Sequence, residues 1–349
     1  MRHVIYVPLE NLEQRYTVMA NHACSKFADE VVDANIETPP AIIKRGQFLD
    51  IIDTSKFKGR QLFSIASMME LLSNKKSYTF FFADIFHPAV PFTKYMSELL
   101  GLNVKVVGFN YAGWADPNDF VRECGVWCKY FDISCNSACD VVFVGSQHHK
   151  QNVESLLASS GCPIPKIVVS GYAWSSSWID DVRAAPICQR HEKMDYVIWP
   201  HRWCREKGVS DLFEFAKQNE DMKIVVTSCG KITSDGSHVK QVWSNGIRNI
   251  VFMQQITKRD YYQTMSRARY YLSTGYQETF GYTIQEAIYH RCRIAVPNRA
   301  CYPEMVQERC VYNDISDARR ILLSETPMPE RYATRWDSVA EKCFKTAKR

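Results

Sequence analysis

The feature that most constrains the fold is an alternation of short strand-like segments with longer helical segments, which restarts near the middle of the chain. The first series of strand-like segments reads HVIYVPL, AIIKR, YTFFFAD, VKVVGFN, DVVFVGS and KIVVSGY, with helical patterns such as FTKYMSELLG between them. Such alternation is typical of a mostly parallel sheet covered by helices, and apolar runs such as YTFFF suit burial on both faces. The first half is therefore predicted to be a doubly wound α/β domain.

The second series begins after the polar, proline-containing stretch DDVRAAPICQRHEKM. Its strands read DYVIWP, MKIVVTS, NIVFMQ, RYYLSTG and RIAVPN. We therefore predict two Rossmann-like domains, residues 1–185 and 186–325, that face each other across a cleft, followed by an amphipathic C-terminal helix within 326–349. Ligands of open α/β sheets bind beyond the carboxyl ends of the strands, so functional side chains are expected directly after strands.

Composition and charge exclude several classes of protein. Hydrophobic residues make up 46% and charged residues 23% of the 349 residues, and no apolar run reaches the roughly 18–20 residues of a membrane span. The chain starts directly with a strand pattern and carries 13 scattered cysteines, which predicts no signal peptide and a cytoplasmic location, the host cytoplasm for a viral protein. The formal charge of +5 permits a polyanionic partner but does not require one.

Four cysteines, Cys124, Cys128, Cys135 and Cys139, follow one another as two pairs with four-residue steps. Structural zinc requires four converging ligands, and the two-residue spacing of a zinc knuckle is missing. The same steps fit one face of an amphipathic helix, where cysteine is often a small buried hydrophobe. No metal site is predicted.

The stretch YYLSTGYQETFGYTIQEA places a strand before a loop and a helix that starts near Gly281. The first amides of that helix lack partners within it and carry the positive end of its dipole, and Gly281 lets the backbone approach a ligand. Glu278 in the loop and Glu286 on the helix can accept hydrogen bonds from a sugar and from a ribose diol. The alternative is a helix-capping Glu278 and a surface Glu286.

A second motif, PHRWCREKGVSDLFEFA, also follows a strand. Arg202 in the turn and Lys207 before Gly208 place two cations at the start of a helix, which the helix dipole disfavours unless an anion neutralises them. A diphosphate held by both side chains and by backbone amides is one such anion. A solvated charge cluster is the alternative.

Together these two stretches resemble the C-terminal domain of GT-B-fold glycosyltransferases, in particular the large retaining family with paired glutamates. The family's Arg, Lys-Gly and Glu–seven residues–Glu pattern is present as Arg202, Lys207-Gly208, Glu278 and Glu286. The resemblance implies that the two cations hold the diphosphate of a nucleotide-sugar donor, here a UDP-sugar, that Glu278 holds a sugar hydroxyl and that Glu286 holds the ribose.

The implied donor site comprises Arg202, Lys207, Glu278, Phe280, Gly281, Tyr282 and Glu286. The resemblance implies a hexosyl- or pentosyltransferase that needs no cofactor and no obligatory metal, because arginine, lysine and helix amides neutralise the leaving diphosphate. The segment PNRACYPEMV resembles the one that follows in this family, including enzymes that glycosylate a modified nucleoside in tRNA. The final helix is expected to cross back onto the first domain.

The first half departs from the family, because VPLENLEQRYT stands where common members carry a Gly-Gly loop. Glu10, Arg15 and Tyr16 in this stretch are candidates for acceptor binding, with a charged loop that forms a local ion pair as the alternative. The segment FADIFHP, which contains Asp84 and His87, resembles one that carries the catalytic base in bacteriophage DNA β-glucosyltransferases. The catalytic candidates are thus Asp84, His87 and Glu278. His87 is expected to be a helix-capping or hydrogen-bonded structural histidine, with a contact to the donor sugar as its functional alternative.

The two resemblances imply different stereochemistry. A general base at Asp84 implies inversion, whereas the paired glutamates imply retention through a front-face mechanism; the longer C-terminal pattern favours retention.

Aromatic loops follow other strands of the first half. Tyr111, Trp114, Tyr172 and Trp174 are candidates for stacking a flipped-out base, with packing between domains as the alternative. The favoured acceptor is therefore a 5-hydroxymethylcytosine-type base in phage DNA. A saccharide or small molecule, or a modified nucleoside in tRNA, is the alternative acceptor, and a non-catalytic protein that binds sugar nucleotides is the alternative class. A monomer or homodimer is expected.

Overall fold

The computed structural model describes residues 1–10, 16–32, 51–183, 192–227, 237–253, 256–324 and 326–349. The predicted strand AIIKR and the candidate Arg15 lie outside these residues. Residue contacts divide the described chain into two units, and the chain passes from one unit to the other after residue 175 and again after residue 335. The first unit runs to residue 175 and also contains 336–349; the second contains 176–335.

The first unit is built on a six-stranded, entirely parallel sheet with the order β2-β1-β3-β4-β5-β6. Its strands are β1 (His3–Val7), β2 (Glu30–Val31), β3 (Ser77–Phe82), β4 (Asn103–Asn110), β5 (Val141–Val144) and β6 (Lys166–Val169). Before residue 175 its helices are α1 (Thr17–Ser25), α2 (Ile51–Leu71), α3 (Ala89–Leu99), α4 (Trp127–Ala138) and α5 (Gln147–Ser159), with a 3-10 turn at Phe120–Cys124.

The second unit carries a second six-stranded parallel sheet with the order β12-β11-β10-β7-β8-β9. Its strands are β7 (Met194–Trp199), β8 (Lys223–Val226), β9 (Ile250–Phe252), β10 (Ala268–Leu272), β11 (Arg293–Pro297) and β12 (Val311–Tyr312). Its helices are α6 (Ser176–Arg183), α7 (Val209–Gln218), α8 (Ser237–Ser244), α9 (Lys258–Arg267), α10 (Tyr282–Tyr289), α11 (Tyr302–Met305), α12 (Ala318–Ser324) and α13 (Arg331–Thr334), with 3-10 turns at Arg205–Lys207, Glu308–Cys310 and Ile315–Asp317.

The C-terminal helix, α14 (Val339–Lys348), follows a 3-10 turn at Arg335–Ser338 and returns to the first sheet. Because side chains alternate along a strand, Phe80 and Phe82 of β3 enter one apolar core, while Phe81 points to the opposite face. There Phe81 stacks on Phe344 of α14, with ring centroids 4.3 Å apart. The predicted return of the final helix to the first domain is therefore confirmed.

The predicted two doubly wound α/β units are also confirmed, since both sheets are parallel and most consecutive strands are joined by helices. Within the described part of the chain, no helix has both the length and the apolar character that a membrane crossing requires.

Candidate functional site

In the second unit, two loops meet at the carboxyl edge of the sheet because β7 and β10 are neighbouring parallel strands. The indole Nε1 of Trp199, the last residue of β7, donates to Thr274 Oγ1 beyond β10 at 2.9 Å. The Thr274 hydroxyl donates to the backbone oxygen of Lys207 at 2.8 Å, and the Tyr276 amide donates to the Glu206 carbonyl at 2.7 Å. These bonds hold the Arg-Lys turn and the Glu278 loop against each other.

Lys207 lies at the centre of this edge and is buried. Its Nζ donates to the Gln277 carbonyl at 3.0 Å and lies 3.4 Å from Glu278 Oε2 and 4.0 Å from Glu206 Oε1. Burial is the largest influence on the pKa of Lys207 and lowers it, but Glu278 and Glu206 outweigh that effect and the pKa is raised. Lys207 is therefore an ammonium ion held between two carboxylates.

Arg202 joins the same cluster through Glu206, because its Nη2 donates to Glu206 Oε1. Arg202, Glu206, Lys207 and Glu278 thus form an alternating set of two cations and two anions, which we call the charge cluster. The sequence motifs predicted three of its members. Glu206 was missed, although its position between two predicted ligands in RWCREKG was a signal for it.

Two glycines let the backbone follow this path. Gly208 has φ of +69° and Gly281 has φ of +72°, and each starts a helix from the left-handed region that residues with a Cβ rarely adopt. A Cβ on Gly208 would lie 1.9 Å from the carbonyl oxygen of Thr274. At Gly208 the turn after β7 therefore passes too close to the loop after β10 to leave room for a side chain.

Glu286, the second predicted glutamate, is buried on α10 rather than exposed at the surface. Its Oε1 accepts from Lys258 Nζ at 3.1 Å and from the Tyr262 hydroxyl at 3.1 Å, and its Oε2 accepts from the Tyr261 hydroxyl at 2.5 Å. Three of the roughly four acceptor positions of a carboxylate are thus occupied. The surface alternative for Glu286 is therefore excluded.

Lys258, Tyr261 and Tyr262 were missed by the sequence reasoning. All three lie in the first two turns of α9, and the Lys258 ammonium sits 4.6 Å and 4.7 Å from the two tyrosine ring centroids. A lysine in the first turn of a helix opposes the helix dipole, so its presence in the segment TKRDYY was a signal for an acidic partner.

The remaining predicted donor residues lie in the same loop. Phe280 is buried and Tyr282 is half-buried, and their rings meet edge to face with centroids 5.1 Å apart. His201, which was not predicted, lies behind the cluster, with its Nε2 3.4 Å from the Tyr271 hydroxyl. Burial, then the charges of Lys207 and Arg202, holds the pKa of His201 well below its ordinary value, so its ring is neutral.

In the first unit, three predicted residues lie together in a small pocket at the carboxyl ends of β1 and β3. Its lining residues are Val7, Pro8, Leu9, Glu10, Phe57, Lys58, Gln61, Asp84 and His87. Lys58 and Gln61 come from α2, a helix that the sequence reasoning did not identify.

Asp84 and His87 are both tied to neighbours within this pocket. Asp84 Oδ1 accepts from the Phe86 amide at 3.0 Å, and Oδ2 lies 3.5 Å from Lys58 Nζ. The Ala89 amide donates to His87 Nδ1, so the proton of His87 resides on Nε2, which donates to Gln61 Oε1 at 2.9 Å. Burial and then the charge of Lys58 hold the pKa of His87 well below its ordinary value. Asp84 therefore faces the pocket as a carboxylate beside an ammonium, and His87 is a neutral ring that caps α3.

The aromatic candidates are placed differently from one another. Tyr16, Tyr111 and Tyr172 form a row with successive ring centroids 4.8 Å and 4.3 Å apart. Tyr172 and Trp174 are each only 1% exposed, so their faces are covered by protein. Trp114 is half-buried and is stacked by the Arg122 guanidinium at 5.0 Å. In this conformation only the half-buried members, Tyr16, Tyr111 and Trp114, offer a ring to a base.

Asp132 of α4, beside this row, has an unusual protonation state. Its two carboxyl oxygens accept from the Trp114 amide at 2.9 Å and from Asn136 Nδ2 at 2.9 Å. Burial raises the pKa of Asp132 to about 7, and the charge of Asp84 acts in the same direction, while the two hydrogen bonds act against them.

This shift predicts a pH-dependent stability. Between about pH 4, where aspartate ionises in an unfolded chain, and pH 7, the folded protein retains a proton that the unfolded chain has lost. The free energy of unfolding of the wild type should therefore fall with rising pH, relative to the Asp132→Asn variant, by up to about 1.4 kcal/mol per pH unit. Urea unfolding of both proteins between pH 4.5 and 7.5 measures this difference. Parallel pH profiles would show that Asp132 ionises normally in the folded state.

The cysteine segment carries no metal-ligand geometry in the part of the chain that the structure describes. No group of three or more His, Cys, Asp or Glu residues converges there as a metal site would require. Cys135 and Cys139 are buried on α4 and at its end, and burial raises the pKa of the Cys135 thiol to about 12. These two thiols pack as small apolar groups.

Comparison with known proteins gives partial sequence similarity and extensive structural likeness. No protein-family model matches the chain. A tRNA-queuosine alpha-mannosyltransferase from Drosophila melanogaster is 27% identical over 158 residues, which are 43% of this chain and 41% of that protein. The match therefore spans well under half of that relative's length.

Two solved structures illustrate the structural likeness. The alpha,alpha-trehalose 6-phosphate synthase of Burkholderia multivorans matches 99% of this chain and 95% of its own, with a TM-score of 0.61 at 10% identity. Anabaena HepE in complex with UDP-glucose matches 99% of this chain and 96% of its own, with a TM-score of 0.58 at 13% identity. At such identities the likeness concerns the fold alone, and the chain adopts the GT-B fold of glycosyltransferases, as its sequence predicted.

Proposed function

We propose that the protein is a glycosyltransferase that moves a sugar from a nucleotide-diphosphate sugar to an acceptor hydroxyl. The observation that carries this proposal is the charge cluster, in which the buried Lys207 and the half-buried Arg202 lie at the carboxyl edge of the second sheet beside Glu278. Cations at this edge suit a diphosphate, and an adjacent carboxylate suits the hydroxyls of the attached sugar. The partial match to a mannosyltransferase and the fold shared with a UDP-glucose complex support the same reaction.

In this reaction the bond between the anomeric carbon and the oxygen of the terminal phosphate breaks, and a bond from that carbon to the acceptor oxygen forms. The acceptor hydroxyl gives its proton to the leaving phosphate oxygen, and the nucleoside diphosphate leaves. Arg202 and Lys207 stabilise the charge that develops on the leaving phosphate, and Glu278 orients the sugar through its hydroxyls. We propose a UDP-sugar as donor, no metal requirement and retention of configuration.

For the acceptor, we propose a modified nucleoside that carries a hydroxyl group. The relative that acts on queuosine in tRNA supports a tRNA acceptor. A 5-hydroxymethylcytosine-type base in DNA is the second candidate, supported by the FADIFHP segment, whose Asp84 lines the first-unit pocket together with Glu10. In either case the pocket is the proposed place of the accepting group, with Asp84 or Glu10 bonded to its hydroxyl.

Transfer can be tested with the purified protein, a panel of UDP- and GDP-sugars, and three nucleic acids: queuosine-containing tRNA, hydroxymethylcytosine DNA and unmodified DNA. Mass spectrometry of the digested nucleosides is expected to show one added sugar on a modified nucleoside, and NMR of the product assigns the anomer. Binding of the nucleic acid is expected to weaken steeply as the salt concentration rises. Hydrolysis of the donor alone, or transfer to saccharides alone, would contradict a nucleic-acid acceptor. If no donor were consumed at all, the proposal that the protein is a glycosyltransferase would be wrong.

A further inference from the structure

Glu206 holds a position that conflicts with the proposed binding of the donor. Its carboxylate accepts from Arg202 Nη2 and lies 4.0 Å from Lys207 Nζ, so it contacts or neighbours both cations assigned to the diphosphate. Its side chain is only 10% exposed. The same oxygen, Oε1, faces both cations, which is the arrangement that a bridging phosphate oxygen would take.

The charges of the cluster are balanced before any ligand binds. Arg202 and Lys207 carry two positive charges, and Glu206 and Glu278 carry two negative charges. The diphosphate of a nucleotide sugar adds two further negative charges to a poorly solvated place, where like charges repel more strongly than in water. Since Glu278 is also needed for the sugar, Glu206 is the carboxylate whose displacement lowers this excess, from two net negative charges to one.

The local backbone permits this displacement. The main chain of Glu206 is fixed, because its carbonyl accepts from the Tyr276 amide at 2.7 Å and it lies within the short 3-10 turn Arg205–Lys207. Only the side chain must rotate to release Arg202. The turn itself, which presents Lys207, can therefore stay in place while the anion is exchanged.

We propose that Glu206 is an internal substitute for the donor diphosphate, which holds Arg202 and Lys207 in position in the empty protein and is displaced when the donor binds. The inference rests on the proposed function. Glu206 neutralises two cations that would otherwise repel each other in the unliganded state, and it competes with the ligand for the same two groups. A ligand that binds only the displaced state is weakened by the free energy of the displacement.

The test is titration calorimetry of UDP and of inorganic pyrophosphate with the wild type, Glu206→Gln and Glu214→Gln. Glutamine keeps the size of the side chain and an acceptor oxygen for Arg202 but removes the competing charge. The Glu206→Gln variant is expected to bind UDP about tenfold more tightly than the wild type. Glu214 is exposed on α7, where its Oε1 accepts from Gln218 at 3.2 Å, so its variant should bind UDP like the wild type.

The outcomes separate the inference from the proposed function. Equal or weaker UDP binding by a folded Glu206→Gln variant would overturn the inference, because Glu206 would then position Arg202 for the ligand. If none of the three proteins binds UDP but Glu206→Gln binds pyrophosphate more tightly than the wild type, the inference about Glu206 stands. The proposal that the donor is a nucleotide sugar is then wrong. If neither UDP nor pyrophosphate binds to any of the proteins, both fail.

A second measurement needs no variant. In a crystal of the wild-type protein soaked with UDP, the Glu206 carboxylate should lie beyond hydrogen-bonding distance of Arg202, with a phosphate oxygen in its place. A Glu206–Arg202 bond that persists in such a complex would overturn the proposal.

Discussion

Replacing Glu278 with glutamine is expected to lower the rate of sugar transfer by about 10²- to 10³-fold, the usual cost of removing one well-placed electrostatic group from an active site. Glutamine has nearly the same shape and keeps an oxygen that can accept from Lys207, now at 3.4 Å from Glu278 Oε2. It loses the negative charge that strengthens hydrogen bonds to the donor's sugar hydroxyls. The substitution should therefore lower kcat more than it lowers the affinity for the donor.

Binding of UDP separates this prediction from a general loss of structure. UDP lacks the transferred sugar of the donor, so its binding does not need Glu278, and Lys207 is less strongly held once the opposing carboxylate is gone. Affinity for UDP should be unchanged or higher in Glu278→Gln. Glu214→Gln again provides a matched exposed control on α7. A Glu278→Gln enzyme with kcat within threefold of the wild type would remove Glu278 from the proposed mechanism.

The positions of the candidate donor residues at the carboxyl edge of the second sheet could be predicted, because these residues follow strands closely in the sequence. In a parallel sheet, residues that directly follow strands lie along one edge, so Arg202, Lys207 and Glu278 could be placed at the same edge without knowledge of the structure. That β10 lies beside β7, with β8 and β9 beyond, could not be read from the sequence. The strand order decides which loops meet, and it depends on long-range packing.

Residues on helices far along the chain were harder to predict. Lys58 reaches Asp84 from α2, which precedes β3, and Lys258 reaches Glu286 from α9. Neither pair has a local spacing that marks it, because each forms only when a helix packs beside the strand end.

The aromatic loops show a different limit. Their composition fits both base stacking and core packing, and burial, which separates the two, is a property of the folded chain. Tyr172 and Trp174 proved to be buried, whereas Tyr16 and Tyr111 remain half-exposed.

Substituting Gly208 with alanine should destabilise the second unit by about 4 kcal/mol or more, which is at the upper end for single substitutions. The left-handed backbone, with φ of +69°, costs a residue with a Cβ about 1–2 kcal/mol. The larger part of the cost is steric, because the new Cβ would lie 1.9 Å from the Thr274 carbonyl oxygen. The hydrogen bond from Thr274 to the Lys207 carbonyl keeps the two backbone segments from moving apart. The free energy of unfolding in urea measures the effect.

Gly246 offers a matched control for the backbone contribution alone. It also has positive φ, +76°, but nothing lies within 4 Å of a Cβ built on it. Gly246→Ala should therefore cost only about 1–2 kcal/mol, and the difference between the two variants isolates the close approach of the turn after β7 to the loop after β10. Because that approach brings Lys207 to Glu278, Gly208→Ala should also weaken UDP binding, while Gly246→Ala should leave it unchanged. Equal costs for the two alanines would mean that the two loops are not held in contact, and the charge cluster would then lack the rigid support on which its proposed role depends.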